Sequence, residues 1–154
     1  MIRYDSLANV PVTLLLELLN HPDVGRHMPL AGTMSEADCI SWAKSKDQQW
    51  QENGYGPWAI YEESRFVGWG GFQKEGDDVD LGLVLRPDAW GLGPTVVRDL
   101  IGKGWSDFGF DSITILLPTS RVHLRPLVRL GFVADGDVDY EGHQFRRFRL
   151  NRNR

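Results

Sequence analysis

The first part of the chain has helix-like patterning. Residues 12–19, VTLLLELL, form an almost wholly apolar segment, and Asn20 behind it is typical of a helix end. Residues 21–29, HPDVGRHMP, hold two prolines and two histidines, which predicts a loop.

A second helix is predicted from Ser35 to about Gly54. Ser35 and Asp38 resemble a capping pattern, and an acidic residue in the first turn is favoured by the helix dipole. Because apolar residues then recur at helical spacing, we expect an amphipathic helix. The apolar positions are Ile40, Ala43 and Trp50.

Strand-like patterning begins at Pro57. Three short segments rich in aromatic and branched residues are separated by turn-like Glu-Ser and Glu-Gly-Asp-Asp sequences. We expect three consecutive antiparallel strands, of which the first two form a hairpin. They are residues 57–63, 65–73 and 78–85.

Helical and strand patterns alternate in the second half. Apolar residues fall on one side of residues 95–110, which predicts a helix packed on the sheet. The nearly all-apolar segment 112–117, SITILL, is typical of a buried central strand. Residues 121–130 are helical in pattern, with a kink or a late start at Pro126.

Gly131 ends that last helix, and two strands follow around a turn near Glu141 and Gly142. The element order is helices, three strands, helix, strand, helix and hairpin. This order predicts an α+β fold with a mixed, mostly antiparallel central sheet flanked by helices on both faces. With no internal repeat or linker, residues 1–154 are expected to form a single domain.

Composition narrows the class of protein further. The formal net charge of −4 makes a nucleic-acid partner an unfavoured interpretation. Cys39 is the sole cysteine, so the chain forms no internal disulfide and suits a reducing compartment. The apolar runs are too short for a signal peptide or a membrane span. We therefore expect a cytoplasmic protein that uses no membrane, and we predict no metal site.

The candidate chemistry centres on the Gly-Leu-Gly turn at residues 91–93, where a strand gives way to a helix. The first N–H groups of a helix lack intrahelical partners and lie at the positive end of its dipole. Glycines let a phosphate approach them closely, although a simple tight turn is the alternative. Two common nucleotide signatures are absent: there is no P-loop, and Val96 replaces the third glycine of G-x-G-x-x-G.

Four segments, taken in order, resemble the GNAT superfamily of acyl-CoA-dependent N-acetyltransferases. They are GWGGFQ (68–73), DVDLGLVLRPDAWGLGPT (78–95), SITILL (112–117) and SRVHLRPLVRLGF (120–132). HPDVGRHMP is similar to the Rim-type branch, which includes acetyltransferases of ribosomal-protein N-termini. The resemblance covers roughly residues 10–150. It implies the GNAT acyltransferase fold, acetyl-CoA as cosubstrate, and a primary amine on a peptide N-terminus or a small molecule as acceptor.

The resemblance also implies a site for acetyl-CoA. In the family, alternate amides of the turn bind the CoA pyrophosphate, and the preceding strand pairs with the pantetheine arm. Pro94 has no N–H, so it takes a position whose amide is not needed. Arg98 either reaches a CoA phosphate or is a solvated helix residue. The implied residues are Leu83, Val84, Leu85, Gly91, Leu92, Gly93, Thr95, Val96, Arg98 and Ser120.

The sequence departs from the family at three positions of these motifs. Trp90 stands where the family has Gln or Arg, Thr95 where it has Gly or Ala, and Ser120 where it has Asn. Since the phosphates are held by amides, the departures leave that part of the expectation unchanged. Trp90 and Ser120, together with Leu127 where many relatives have a tyrosine acid, keep open an alternative, a non-catalytic acyl-CoA sensor or accessory protein of the same fold.

Acetyl transfer needs a base for the amine and a donor for the thioester oxygen. The resemblance implies a backbone amide near Leu83 or Val84 as the oxygen's donor. Asp80, early in the central strand, is the candidate base and would act through water. Alternatively, Asp80 belongs to a solvated acidic turn with Asp77 and Asp78.

The departing thiolate benefits from a proton, for which many relatives use a tyrosine. Leu127 occupies that position. Rim-type relatives instead carry a serine at the fourth place of N-x-x-S, which here is His123, so the resemblance makes His123 our candidate acid, with Ser120 as the alternative. Alternatively, His123 is a surface helix histidine.

The acceptor pocket is expected to be shaped by the first helices. Trp42 and Trp50 are either core residues or an aromatic wall for the amine, and His27 is a candidate contact in the preceding loop. The arginine-rich end, RRFRLNRNR, either is a solvated strand and tail or touches an acidic partner or RNA. A homodimer is a further expectation.

Overall fold

The structure is a computed structural model that describes residues 1–25, 33–119, 124–140 and 142–153. Its helices are α1 (Val12–Leu19), α2 (Pro22–Gly25), α3 (Glu36–Asn53), α4 (Gly93–Ser106) and α5 (Arg125–Leu130), with 3-10 turns at Leu7–Asn9 and Pro87–Leu92. Its strands are β1 (Ile2–Asp5), β2 (Pro57–Glu62), β3 (Arg65–Glu75), β4 (Asp78–Leu85), β5 (Ser112–Pro118), β6 (Val133–Tyr140) and β7 (His143–Asn151).

All seven strands form one sheet in the order β1-β2-β3-β4-β5-β7-β6. Every neighbouring pair is antiparallel except β4 and β5, which run parallel. The predicted α+β class and mixed, mostly antiparallel sheet are therefore confirmed. β1 was not predicted, because four residues carry little pattern and this strand is defined by its pairing with β2, more than fifty residues away.

Two hydrophobic cores lie on the two faces of the sheet. One joins α4 to buried residues of the central strands, such as Phe72, Leu81 and Ile113. The other joins α1 and α3 to the opposite face, where Ala59 and Trp69 are buried. Successive strand residues point to opposite faces, so the central strands supply both cores.

The predicted first helices are confirmed with two corrections. α1 spans the predicted residues, and Ser35 and Asp38 form a reciprocal capping box at the start of α3. The expected apolar position Ile40 is wrong, since its side chain is 45% exposed while the adjacent Cys39 is fully buried. The segment predicted as a loop begins with the short helix α2.

The end of the chain follows the prediction more closely. Pro126 lies in the first turn of α5, where its missing N–H has no partner to lose, so the helix starts late and is not kinked. Gly131 ends α5 with φ of 100°, and β6 and β7 form the expected hairpin. In the part of the chain that the structure describes, no helix has the length and apolarity to cross a bilayer.

Candidate active site

The parallel strands β4 and β5 share a single ladder pair among the described residues, Asp80 with Thr114. By contrast, β3 and β4 are paired along the whole of β4. Residues 81–85 thus have no ladder partner on β5, and the sheet opens towards the carboxyl ends of the two strands. A ligand that pairs with strand backbone would bind in such an opening.

Asp80 lies at the closed end of this opening. Its carboxylate is half-buried and accepts a hydrogen bond of 3.0 Å from the Thr114 hydroxyl. Burial raises the pKa of Asp80 from 3.8 to about 7, against the lowering effect of Thr114 and with smaller contributions from Glu75 and Asp78. Asp80 is therefore not part of a solvated turn, and near neutral pH it can accept a proton.

Thr114 is a residue that the sequence analysis did not single out. Its side chain is 1% exposed, and it interrupts an otherwise apolar run. A buried hydroxyl between two isoleucines of a strand must find a hydrogen-bond partner, and this position in the sequence was the signal that could have identified Thr114.

The neighbouring Asp78 is held by an arginine and does not face solvent alone. Arg149 of β7 donates two hydrogen bonds to Asp78, at 3.0 and 3.1 Å, one to Asp135 at 2.8 Å and one to Ser112 at 3.0 Å. For Arg149, this arrangement corrects the interpretation of the arginine-rich end as a solvated strand, because Arg149 joins four strands at one edge of the site.

The glycine turn has open space beside it. A Cβ built on Gly91 or Gly93 meets no described atom within 4 Å. The Val96 side chain is fully buried in the α4 core, so that residue can offer the turn only its backbone. The Gly93 N–H donates to the Trp90 carbonyl oxygen, so it must exchange this partner before it can bind a ligand. Pro94 lies in the first turn of α4, a position that proline tolerates.

Trp90 also forms a hydrogen bond to β4, the strand that precedes the turn. Its indole N–H donates to the Leu85 carbonyl oxygen at 3.1 Å, and half of the side chain stays exposed. The last carbonyl of β4 is thus already engaged, which leaves residues 81–84 as the part of the strand whose backbone can pair with a ligand.

The face of the sheet that carries Asp80 has little side-chain cover in the middle. Gly82 follows Asp80 on that face and pairs with Gly71 of β3. Of the described atoms, a Cβ built on Gly82 meets only Gln73 Nε2, at 3.6 Å. We call this region, bounded by Asp80, Gln73 and Trp69, the acceptor face.

α3 covers one side of the acceptor face with Trp42 and a lysine that the sequence analysis missed. The Trp42 ring meets the Trp69 ring edge-on at 5.2 Å, and Lys46 Nζ donates to Gln73 Oε1 at 2.7 Å. Lys46 follows Trp42 by four residues, so the two side chains share one side of the helix. A lysine on the buried side of a helix was the feature of the sequence that could have identified this residue.

The structure separates the two tryptophans that were considered as either core residues or an aromatic wall for the amine. Trp50 packs at 4.7 Å from Trp58 and at 5.9 Å from Phe108, and both of these rings belong to the α4 core. The Trp50 N–H also donates to the Pro57 carbonyl oxygen at 2.8 Å. Of the pair, Trp42 alone contacts the Asp80 side of the sheet through Trp69.

Three predicted site residues, His27, Ser120 and His123, lie outside the described residues. Arg98 is exposed on α4 and borders a cleft of about 250 Å³ together with residues of α5 and β7. In the described ranges, no group of three His, Cys, Asp or Glu side chains is placed to hold a metal ion.

Solved structures of similar fold include several acetyltransferases. Spermidine N-acetyltransferase from Vibrio cholerae, solved with CoA and spermine, has 10% identity and a TM-score of 0.77, covering 97% of this chain and 95% of that one. Aminoglycoside acetyltransferase AAC(6')-Ib with CoA has 15% identity and a TM-score of 0.77, covering 99% and 94%. The yncA protein of Salmonella typhimurium with acetyl-CoA has 17% identity and a TM-score of 0.71, covering 98% and 92%.

The mixed seven-stranded sheet with helices on both faces is the fold of the GNAT acetyltransferases. The acetyltransferase (GNAT) domain matches residues 9–129 of the sequence, and the chain belongs to this family. A search of curated proteins finds no significant match.

Proposed function

We propose that this chain is an acetyl-CoA-dependent N-acetyltransferase of the Rim-type branch, which acetylates a primary amine directly within a ternary complex. Asp80 is the observation that carries the proposal. Its carboxylate has a pKa of about 7 and lies where the two parallel strands part, beside the open space at Gly82. A base with a pKa near the working pH is effective in general catalysis.

Acetyl-CoA fits the residues that border the opening between β4 and β5. The turn has room beside Gly91 and Gly93, and the backbone of residues 81–84 has no partner on β5. We assign the pyrophosphate to the turn, with Thr95 and Val96 amides as donors, and the pantetheine arm to Leu83 and Val84. CoA or acetyl-CoA is bound in the three related structures described above.

Asp80 takes a proton from the bound ammonium, directly or through one water, which frees the nitrogen lone pair. The nitrogen then bonds to the thioester carbonyl carbon, a backbone N–H near Leu83 or Val84 stabilises the developing oxyanion, and the carbon–sulfur bond breaks. The thiolate leaves with the electron pair of that bond and takes a proton from His123 or Ser120, our proposed acids. The products are the N-acetyl amine and CoA.

Two measurements test the proposal. Calorimetry measures acetyl-CoA binding, and a thiol reagent measures CoA release with a panel of primary amines that includes short peptides. We expect binding, turnover with at least one amine, and loss of turnover without loss of binding in Asp80→Asn. Binding without turnover for any amine would favour the non-catalytic alternative, and absence of binding would overturn both.

A further inference from the structure

A lysine that makes no ion pair with any described residue lies over the acceptor face. Lys46 Nζ is 2.7 Å from Gln73 Oε1 and lies over the Trp69 and Trp42 rings, 5.2 and 5.9 Å from their centroids. Among the described residues it makes no ion pair. Because burial disfavours the charged ammonium, the pKa of Lys46 is lowered. An anion bound beside Lys46 would stabilise its charged form.

The ammonium lies on the side of the sheet that carries Asp80 and Gly82. Gln73 and Trp69 are separated on the same face of β3 by Gly71, which pairs with Gly82 of β4. Since Lys46 contacts both flanking side chains, its ammonium lies on the same side of the sheet as Gly82, where a Cβ would meet Gln73 Nε2 at 3.6 Å and no other described atom within 4 Å.

Two further hydrogen-bond donors belong to side chains of the acceptor face. Gln73 Nε2 is 3.6 Å from a Cβ built on Gly82, and the buried Trp69 indole N–H has no hydrogen-bond partner among the described residues. Lys46 uses one of its three N–H groups for Gln73. Such a set matches a ligand group that accepts several hydrogen bonds and carries negative charge.

The acidic groups near this face do not cancel the lysine. Asp78 is bonded to Arg149, and burial followed by the nearby Asp78 raises the pKa of Glu75. Asp80 is the candidate base, and its carboxylate is the partner of the acceptor amine. A polycationic acceptor would be attracted by the Asp80 carboxylate and repelled by the Lys46 ammonium.

We propose that the acceptor is an amino acid, whose amine lies at Asp80 and whose carboxylate is bound by Lys46 and Gln73. This inference rests on the proposed N-acetyltransferase function and names its substrate class. Gln73 and Asp80 are directly opposed on β3 and β4, with Cβ atoms on the order of 5 Å apart. The two charged groups of the acceptor are therefore only a few bonds apart, as in an α-amino acid.

The substrate class is tested with matched acceptors. Each common amino acid is compared with its carboxamide and with its decarboxylated amine, and spermidine represents polycations. We expect the carboxylate form to have the higher kcat/KM, by a factor on the order of ten to one hundred, the usual value of a hydrogen-bonded charge. Turnover of amides, peptides or spermidine at an equal or higher kcat/KM overturns the inference and leaves the acetyltransferase function intact.

Lys46→Met tests the residue itself. It removes the charge and preserves most of the stem, so the preference for the carboxylate form should disappear: kcat/KM of the carboxylate form should fall by a factor on the order of ten to one hundred, to about that of the carboxamide. Lys44→Met, an exposed lysine on the same helix, is the matched control. Retained preference in a folded Lys46→Met protein would overturn the assignment.

A second variant and a binding readout separate this inference from the enzyme proposal. Lys46→Arg keeps the charge and should keep the preference for carboxylates. If Lys46→Met does not fold, the inference is decided by whether wild type and Lys46→Arg both prefer the carboxylate form of the acceptor. Tryptophan fluorescence of the wild type, titrated with amino acids in the presence of CoA, reports binding beside Trp42 and Trp69 without turnover. Fluorescence changes with carboxamides and none with amino acids would overturn the inference even if no amine is acetylated.

Discussion

The Trp90 indole N–H donates a hydrogen bond of 3.1 Å to the Leu85 carbonyl oxygen, which ties the glycine turn to the end of β4. Trp90 stands where related proteins have Gln or Arg, and all three side chains carry N–H donors. The departure from the family pattern thus keeps a donor at this position and adds an exposed ring beside the turn.

Replacing Trp90 by Phe removes the donor and keeps an aromatic ring. The Leu85 carbonyl then lacks its partner, and the turn loses about 0.5–1.5 kcal/mol of support. We expect the Kd for acetyl-CoA to rise several-fold, with a smaller change in kcat. Calorimetry with acetyl-CoA measures the first quantity.

Trp90→Arg is the rescue variant for this experiment. A guanidinium restores the donor, so its affinity for acetyl-CoA should lie near that of wild type. Equal affinity of the Phe variant and wild type would show that the bond to Leu85 does not support the binding site.

The pKa of Asp80 predicts the pH dependence of the reaction. A base must be deprotonated to act, so kcat/KM for the amine should rise with pH through about 7 and then level. Asp80→Asn should lose most of its activity, and its remaining kcat/KM should no longer rise with pH near 7. A pH–rate profile of both proteins provides the measurement. A rise of kcat/KM near pH 7 in both proteins would assign the titration to another group.

The same carboxyl group predicts how stability varies with pH. Its folded pKa of about 7 exceeds its ordinary value of 3.8, so the folded state binds the proton more tightly than the unfolded chain does. The contribution of Asp80 is fully present below about pH 3.8 and is lost as pH rises through 7. Thermal unfolding should show wild type losing stability relative to Asp80→Asn between these two values. A constant difference would contradict the raised pKa.

Thr114 sets part of that pKa. Its hydroxyl favours the ionised form of Asp80, so Thr114→Val should raise the Asp80 pKa further and move the acid limb of kcat/KM to higher pH. Thr13→Val, on the exposed surface of α1, should leave the profile in place. A limb that moves to lower pH would show that the hydroxyl does not act as this donor.

The sequence predicted most elements because their signals are local. The Ser35 capping box, the late start at Pro126 and the stop at Gly131 each depend on a few adjacent residues. β1 and the parallel pairing of Asp80 with Thr114 depend on contacts between distant segments, which a single sequence does not display.

The candidate site was predictable to a similar extent. Asp80 was identified through the family pattern of the central strand, while Lys46 was missed because its meaning depends on Gln73 and Trp69, which approach it only in the folded sheet. Trp42 and Trp50 were considered together because both lie on the second predicted helix, yet Trp50 packs against Trp58 of the opposite core, since a position on a helix does not by itself specify which residues of the sheet a side chain meets.

Gly82 offers a direct test of where the acceptor approaches. A Cβ there makes an ordinary contact with the flexible end of Gln73, so Gly82→Ala should fold, whereas Gly82→Val places two methyl groups in the open space beside Asp80. Overfilling a fitted space costs about 1–3 kcal/mol, so we expect KM for the amine to rise roughly five- to hundredfold with little change in the Kd of acetyl-CoA. Gly102→Ala, on the exposed side of α4, is the control and should stabilise the fold by about 0.5–1 kcal/mol without changing either constant. An unchanged amine KM in Gly82→Val would place the acceptor elsewhere, while a matched loss of acetyl-CoA affinity would place the cosubstrate over Gly82.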